Sequence, residues 1–316
     1  MGGLGNQIFQ IFTIVALSIK LKRSFIFPKK KLTGDKRQDI YWGTLFKELE
    51  KDTFDFSINK LRLPMYKETT FHYNPDIQTH HVITSPLNGV MLFGYFQSYK
   101  YFEKETSQII KYLKIDEKKQ LMKNILTSIC GNKKTISLHF RLGDYKSLSQ
   151  HYTPIGIDYY ANSISYILNR LVLLASASNN TRVVAPLSES KKTLDNMSVD
   201  CIVLYFCEEN DLSEVEEKID YLRNRFPSMM FQRAPTSYMD KNSYNTPIHI
   251  EDWQSMLLMS CCNYNIIANS TFSWWSAYLN TNTNKIVCYP EKWFGPALPK
   301  HNTNDLCPPS WVKIKW

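Results

Sequence analysis

From residue 134 onward, short apolar runs alternate with stretches of helical periodicity, and this alternation constrains the fold more than any other feature. Thr135-Ile136-Ser137-Leu138 reads as a buried strand, Ile157 to Leu174 as a helix, and Arg182 to Ala185 and Cys201 to Phe206 as strands. Glu214 to Arg225 has the pattern of a charged amphipathic helix, and Glu251 to Cys262 that of a more buried one. Asn265 to Ala268 reads as a strand, Ser273 to Leu279 as a helix, and Ile286 to Tyr289 as a last strand. Strands alternating with helices imply the α/β class with a mostly parallel sheet. The tail beyond Pro296 is irregular, with Trp311 and Trp316 expected to dock it.

The first half is less regular. Ile8 to Leu21 spaces its apolar residues as a helix does, with Gln10, Thr13 and Ser18 between them. It follows Gly2-Gly3-Leu4-Gly5-Asn6, and a glycine-rich turn opening a helix lets a ligand approach backbone N–H groups. Phe25 to Phe27 and Val90 to Phe93 read as strands, the second ending in Gly94-Tyr95-Phe96-Gln97-Ser98, and helical pattern returns from Phe102 to Ile129. The polar break Gly131-Asn132-Lys133-Lys134 sets the expected domain boundary, giving residues 1–133 and 134–316.

A net charge of +9 favours anionic partners. The run Lys29-Lys30-Lys31 reads as a solvated turn, with a membrane-surface reading second to it. The seven cysteines are odd in number and form no Cys-x-x-Cys, which fits a reducing compartment with neither a disulfide framework nor a zinc site. No run of eighteen apolar residues occurs and Met1-Gly2-Gly3 carries no basic segment, so neither a membrane span nor a signal peptide is expected. A nucleic-acid binder lacks support, because no recognised aromatic–basic motif is present. A nicotinamide or flavin fingerprint fails at Gly2-Gly3-Leu4-Gly5 for want of the third glycine and of a preceding strand.

Two segments concentrate polar chemistry. The strand at 135–138 runs into His139-Phe140-Arg141-Leu142-Gly143-Asp144-Tyr145 and so delivers His, Arg and Asp to one sheet edge, where open α/β sheets bind ligands. Arg suits bidentate contact with phosphate, and Asp144 can orient it or accept a proton; a purely structural Arg–Asp pair is the alternative. Asn269-Ser270-Thr271-Phe272-Ser273-Trp274-Trp275 lies between a strand and a helix. Its hydroxyls and first N–H groups suit phosphate, or simply cap the helix, and the two tryptophans belong in the core.

These segments, with Gly2-Gly3-Leu4-Gly5-Asn6-Gln7 and Phe9-Gln10, Gly94 to Ser98, and Pro290-Glu291-Lys292-Trp293-Phe294, resemble in order the motifs of the bacterial α-1,2-fucosyltransferases, glycosyltransferase family 11. The matches run from residue 2 to residue 294. The resemblance implies a GT-B-like pair of Rossmann-type domains, with residues 1–133 on the acceptor side and 134–316 binding GDP-fucose. It implies inverting transfer of L-fucose from GDP-β-L-fucose to a sugar hydroxyl, galactose O2 being expected, in surface polysaccharide synthesis. No divalent metal or other cofactor is expected, and no Asp-x-Asp is present. Arg141 then neutralises the departing diphosphate, with Ser270, Thr271, Phe272 and Ser273 lining its other side. His139 and Asp252 resemble nucleotide contacts, with Glu251 a rival to Asp252 and a core histidine the alternative for His139. Asp144 is the candidate general base, with a structural role as its rival. Gly2, Gly3, Gly5, Asn6 and Gln7 form the expected cleft loop.

An oligosaccharide or lipid-linked glycan acceptor, a cytoplasmic location and peripheral contact with the inner membrane are further expectations. The alternatives are a GT-B transferase of another donor or linkage, and a non-catalytic glycan or nucleotide-sugar binder. The chain departs from the family at Leu142, where a second Arg is common, at Tyr99, where Glu is common, and at Phe206-Cys207-Glu208-Glu209, from which no site residue is carried over. It also begins at the glycine turn, where the family has a preceding hydrophobic strand, so a truncated start or a lost first strand is expected.

Overall fold

A computed structural model describes residues 2–29, 41–55, 63–85, 89–178, 200–239 and 246–316. Lys30, Lys31 and the strand expected at 182–185 lie outside them. The chain divides into two compact units, Met1–Gln120 with Pro299–Pro309, and Leu121–Leu298 with Ser310–Trp316.

The first unit is organised by helix α1, Leu4–Leu21, which begins four residues earlier than its apolar spacing suggests. Leu4, Ile8, Phe9, Phe12 and Val15 are buried, and the rings of Phe9 and Phe12 meet Phe102 at 5.9 and 5.5 Å. The helix stops at Lys22, whose backbone turns left-handed (φ 51°). By length and composition alone α1 is apolar enough to cross a membrane, although it holds no unbroken run of eighteen apolar residues. Uncharged Asn6, Gln7, Gln10 and Thr13 interrupt the run while leaving it apolar on average, and 61% of the segment is buried inside the protein. Two short parallel strand pairs occur among its described residues: β1 (Phe27–Pro28) with β2 (Thr53–Phe54), and β3 (Met65–Lys67) with β4 (Met91–Phe93). The helical pattern of residues 102–129 divides at Lys114 (φ 50°), giving α3 (Thr106–Tyr112) and α4 (Ile115–Cys130), after the single turn α2 (His81–Thr84).

The second unit is built on a six-stranded parallel sheet. Strand β6 (Cys201–Phe206) is apolar and buried on both faces, and β5 (Lys134–His139) is buried on both faces from Thr135 onward, as central parallel strands are when helices cover each side. Helix α5 (Ile157–Ser178) follows β5, and α6 (Leu212–Arg225) joins β6 to β7 (Met230–Arg233). After the small hairpin β8 (Ser237–Tyr238) and β9 (Ile248–His249), α7 (Asp252–Cys261) leads to β10 (Tyr264–Ile266). Helix α8 (Thr271–Tyr278) then precedes β11 (Val287–Pro290). The tail is not wholly irregular: Val312–Ile314 pairs with β11 as β12. Trp311 rests against Trp274 at 5.4 Å and Trp316 against Tyr159 at 5.5 Å, so both tryptophans do dock it.

The strand order is β12-β11-β10-β5-β6-β7. The chain therefore builds outward from β5 in one direction, returns, and builds outward from β10 in the other. This is the doubly wound order, and the reversal falls between β5 and β10. The carboxyl ends of those two strands are where an open sheet of this order binds its ligands.

Candidate active site

The two polar segments of the second unit occupy this reversal point. His139 ends β5, Arg141 follows two residues later, and Ser270 begins the helix after β10. Because β5 and β10 are hydrogen-bonded neighbours, with Leu138 opposite Ile266, their exits are adjacent. Two contacts join them: Tyr145 Oη donates to the Asn269 carbonyl at 3.1 Å, and the Phe272 ring lies 5.6 Å from His139.

Arg141 is held on three sides. Nη2 donates to Asp144 Oδ1 at 2.6 Å, Nη1 donates to Glu208, and the guanidinium lies 5.2 Å from the Tyr145 ring centre. Tyr145 stacks in parallel on Tyr152 at 4.2 Å, and Tyr152 meets Phe294 at 6.1 Å. The turn beneath is pinned by Asp211, which is buried and accepts from Gly143 N at 2.7 Å and from Lys146 Nζ at 3.2 Å. Gly143 sits at φ 26°, and a Cβ there would lie 3.1 Å from Glu208 Oε2, so this position favours glycine on both counts. Leu142, where a second Arg was the alternative, packs against the buried cluster around β5 and β6.

His139 is buried, and its pKa is lowered to about 3, first by loss of solvent and then by the Arg141 charge. It is a neutral ring at any physiological pH, and its buried Nδ1 has no hydrogen-bond partner among the described residues. Asn269 braces the other exit. Its amide donates to the carbonyls of Thr153 (2.9 Å) and Trp293 (3.0 Å), which ties the Pro290–Phe294 motif to the loop after β5. Gly295 closes the same seam: its N–H donates to the His151 carbonyl at 2.8 Å, and a Cβ would come within 2.5 Å of the Gln150 oxygen.

The hydroxyls at the mouth of α8 divide in role. Ser270 is the N-cap, accepting from Phe272 N at 3.4 Å, and Thr271 opens the helix. Ser273 does not line the mouth as expected. It is fully buried in the first turn, and its hydroxyl donates back to the Ser270 carbonyl at 3.3 Å. At the start of α7, Glu251 is engaged as the cap and accepts from Trp253 Nε1 at 2.7 Å. Asp252, one residue on, is exposed and accepts from Trp253 N.

The expected glycine loop is shorter than its sequence suggests. Gly2 (φ 81°) and Gly3 precede α1, whereas Gly5, Asn6 and Gln7 already belong to its first turns. Gly2 is obligatory, since a Cβ would lie 2.2 Å from the Asn6 amide. Within the first unit this start is tied to the Gly94–Ser98 segment, with Gln97 Nε2 donating to Asn6 Oδ1 at 2.8 Å and Gln10 Nε2 to the Gly94 carbonyl at 3.0 Å. Two sets of motifs are thus assembled, one in each unit. Glu208 and Asn269 are the contributors that sequence reasoning missed or left without a role.

Residues 235–315 match the profile of glycosyl transferase family 11. Over 99% of its length the chain is 27% identical to the O-antigen biosynthesis glycosyltransferase WbnK of Escherichia coli, covering 98% of that protein. It is 24% identical to an alpha-1,2-colitosyltransferase of Escherichia coli over 99% of this chain and 97% of that one. It is 23% identical to a galactoside 2-alpha-L-fucosyltransferase of Caenorhabditis elegans over 99% of this chain and 77% of the relative. The chain is thus similar to glycosyl transferase family 11 over residues 235–315, and to these three glycosyltransferases over nearly its whole length. It is a glycosyltransferase, and the exits of β5 and β10 stand where a doubly wound sheet holds its ligand.

Proposed function

We propose that this glycosyltransferase moves L-fucose from GDP-β-L-fucose, with inversion, to a galactose O2 of a glycan acceptor in O-antigen synthesis. The observation that carries the reading is the adjacency of Arg141 and the mouth of α8 at the strand-order reversal. A diphosphate seated there meets a guanidinium on one side and a helix N-terminus on the other, two independent sources of positive potential. Charge on the leaving oxygen grows as the glycosidic bond breaks, so both strengthen toward the transition state, and no metal is required of the site. The names of WbnK and of the Caenorhabditis elegans relative support O-antigen synthesis and fucosyl transfer respectively.

The roles follow from what each side chain touches. Arg141 neutralises the leaving diphosphate. Asp144, fixed on Arg141 Nη2, orients that guanidinium rather than accepting the acceptor's proton. His139 and Phe272 present a neutral, flat surface for the nucleotide, and Asp252 is placed to accept from the guanine edge. Ser270 shapes the mouth, with Thr271 at its rim. The architecture is of the GT-B kind, the first unit taking the acceptor. The work is cytoplasmic, against the inner membrane, where a +9 surface favours an anionic leaflet and a lipid-linked acceptor.

The test is to incubate the protein with GDP-fucose and a panel of galactosides, following GDP release and the linkage formed. An α-1,2-fucosylated product made equally well in EDTA supports the reading. A strict Mn²⁺ requirement, or transfer from a colitose donor in preference, counts against the corresponding part.

A further inference from the structure

One of the seven tryptophans stands apart from the rest. Trp42, Trp274, Trp275, Trp293 and Trp311 are buried, and Trp316 rests on Tyr159. Trp253, in the second unit, is partly exposed, and among the described residues no other aromatic ring meets it. Indole surface left in water is a feature of binding surfaces. The ring is nevertheless held. Its Nε1 donates to Glu251 Oε2 at 2.7 Å, and Glu251 is itself fixed by a capping box, its N–H donating to Gln254 Oε1 at 2.9 Å. The ring is therefore oriented before a ligand arrives, and a ligand does not have to order it.

Two helices of the second unit fix where it stands. Helices α7 and α8 pack against each other, and Asn280 Nδ2, just past α8, donates at 2.8 Å to the carbonyl of Cys262, the C-cap of α7. Their C-terminal ends thus meet at the amino edge of the sheet, where β10 begins, and both helices start at the carboxyl edge. Helix α7 has 10 residues and α8 has 8, so α7 reaches about 3 Å further along that edge's side. Trp253 precedes Met256 and Leu257 by three and four residues, and both are fully buried, so it shares their inward face. Helical side chains lean toward the N-terminus, so the ring overhangs the carboxyl edge beside the mouth of α8, one helix spacing (about 8–10 Å) away.

We propose that Trp253 is the stacking platform for the base of the donor nucleotide and that it makes the site prefer a purine to a pyrimidine. The inference deepens the donor site read above and rests on it. A diphosphate at the mouth of α8 leaves its base one ribose away, which is the reach to the start of the neighbouring helix. A purine covers an indole more fully than a pyrimidine does, so the ring discriminates by the area it buries. Asp252, the preceding residue, then stands beside the edge of a base lying on the ring.

The test is calorimetry of the full chain with GDP, UDP and inorganic diphosphate, read beside tryptophan fluorescence. Trp253→Ala should weaken GDP binding about five- to a hundred-fold, leave the affinity for inorganic diphosphate unchanged, and narrow the preference for GDP over UDP. Trp253→Phe keeps a ring in the same place. It should bind GDP within about five-fold of wild type, yet lose the quenching of tryptophan emission that GDP, and not diphosphate, causes in wild type. A Trp253→Ala chain that binds GDP as tightly as wild type, or that loses GDP and diphosphate alike, overturns the role of Trp253, as does undiminished quenching in Trp253→Phe. A wild-type chain that binds neither GDP nor inorganic diphosphate refutes the donor site itself, and the inference with it.

Discussion

Arg141 is already paired: Glu208 occupies one of the nitrogens that a diphosphate would use. Replacing Glu208 by Gln therefore tests whether the guanidinium serves a ligand. The Glu208 side chain is 53% exposed and that of Arg141 26%, so the pair is well solvated. Exposed ion pairs contribute about 0.2–1 kcal/mol. Displacing Glu208 costs a bound anion that much, and its removal should tighten GDP binding by roughly 1.4- to 5-fold. Asp144 stays on Nη2 and the Tyr145 ring stays beneath, so the guanidinium keeps its orientation. Removing a negative charge beside the diphosphate acts in the same direction, and the gain should shrink as salt is raised. The assay is isothermal calorimetry of GDP at low and high ionic strength. GDP binding weakened by the substitution at low salt would refute the reasoning, because Glu208 would then be placing Arg141 rather than competing for it.

Arg141→Lys keeps the charge and loses the planar fork. With one charge-assisted hydrogen bond at stake, about 1.5–3 kcal/mol, GDP affinity should fall roughly ten- to a hundred-fold by the same calorimetry. Tyr145 separates two contacts. Tyr145→Phe keeps the ring under Arg141 and loses only the bond to Asn269, whereas Tyr145→Leu loses both, so kcat should fall further in the Leu variant. Equal kcat values in the two would remove the ring from the account. For His139 the folded pKa of about 3 lies below the ordinary 6.5, so the unfolded chain takes up the proton first as pH falls. Its contribution to stability is complete above 6.5 and is lost as pH falls from 6.5 toward 3. Urea melts at pH 7 and pH 4.5 should therefore converge more closely for His139→Asn than for wild type, and an equal gap would contradict the burial argument.

The sequence reveals elements whose residues repeat one signal. Strand β6 is visible because its apolar run is unbroken, β5 because small or apolar Thr135–Leu138 are all buried, and α1 because its buried residues recur from Leu4 to Leu17. Strand β12 is hidden, since Val312-Lys313-Ile314 is too short for a period to register and takes its order from β11. Strand β7 is hidden because only Phe231 of its four residues is buried, and polar Gln232 and Arg233 follow it. In the site, Arg141 and the Ser270–Thr271 segment could be foreseen because each follows a recognisable strand, and the strand order then makes them neighbours. Glu208 could not be foreseen: it lies 67 residues from Arg141 in sequence and follows a strand that shows no sign of adjoining β5. Ser273 misled for a local reason. A hydroxyl in the first helical turn can face a ligand or fold back onto its own carbonyls, and the residue type fits both.

The central claim is that the guanidinium of Arg141 and the mouth of α8 grip one diphosphate, and a crystal structure of the protein with GDP tests it most directly. The account predicts diphosphate oxygens within hydrogen-bond distance of Arg141 Nη1 and of the first N–H groups of α8, with Glu208 displaced. A diphosphate bound away from the exits of β5 and β10, with Arg141 still closed on Glu208, would contradict it.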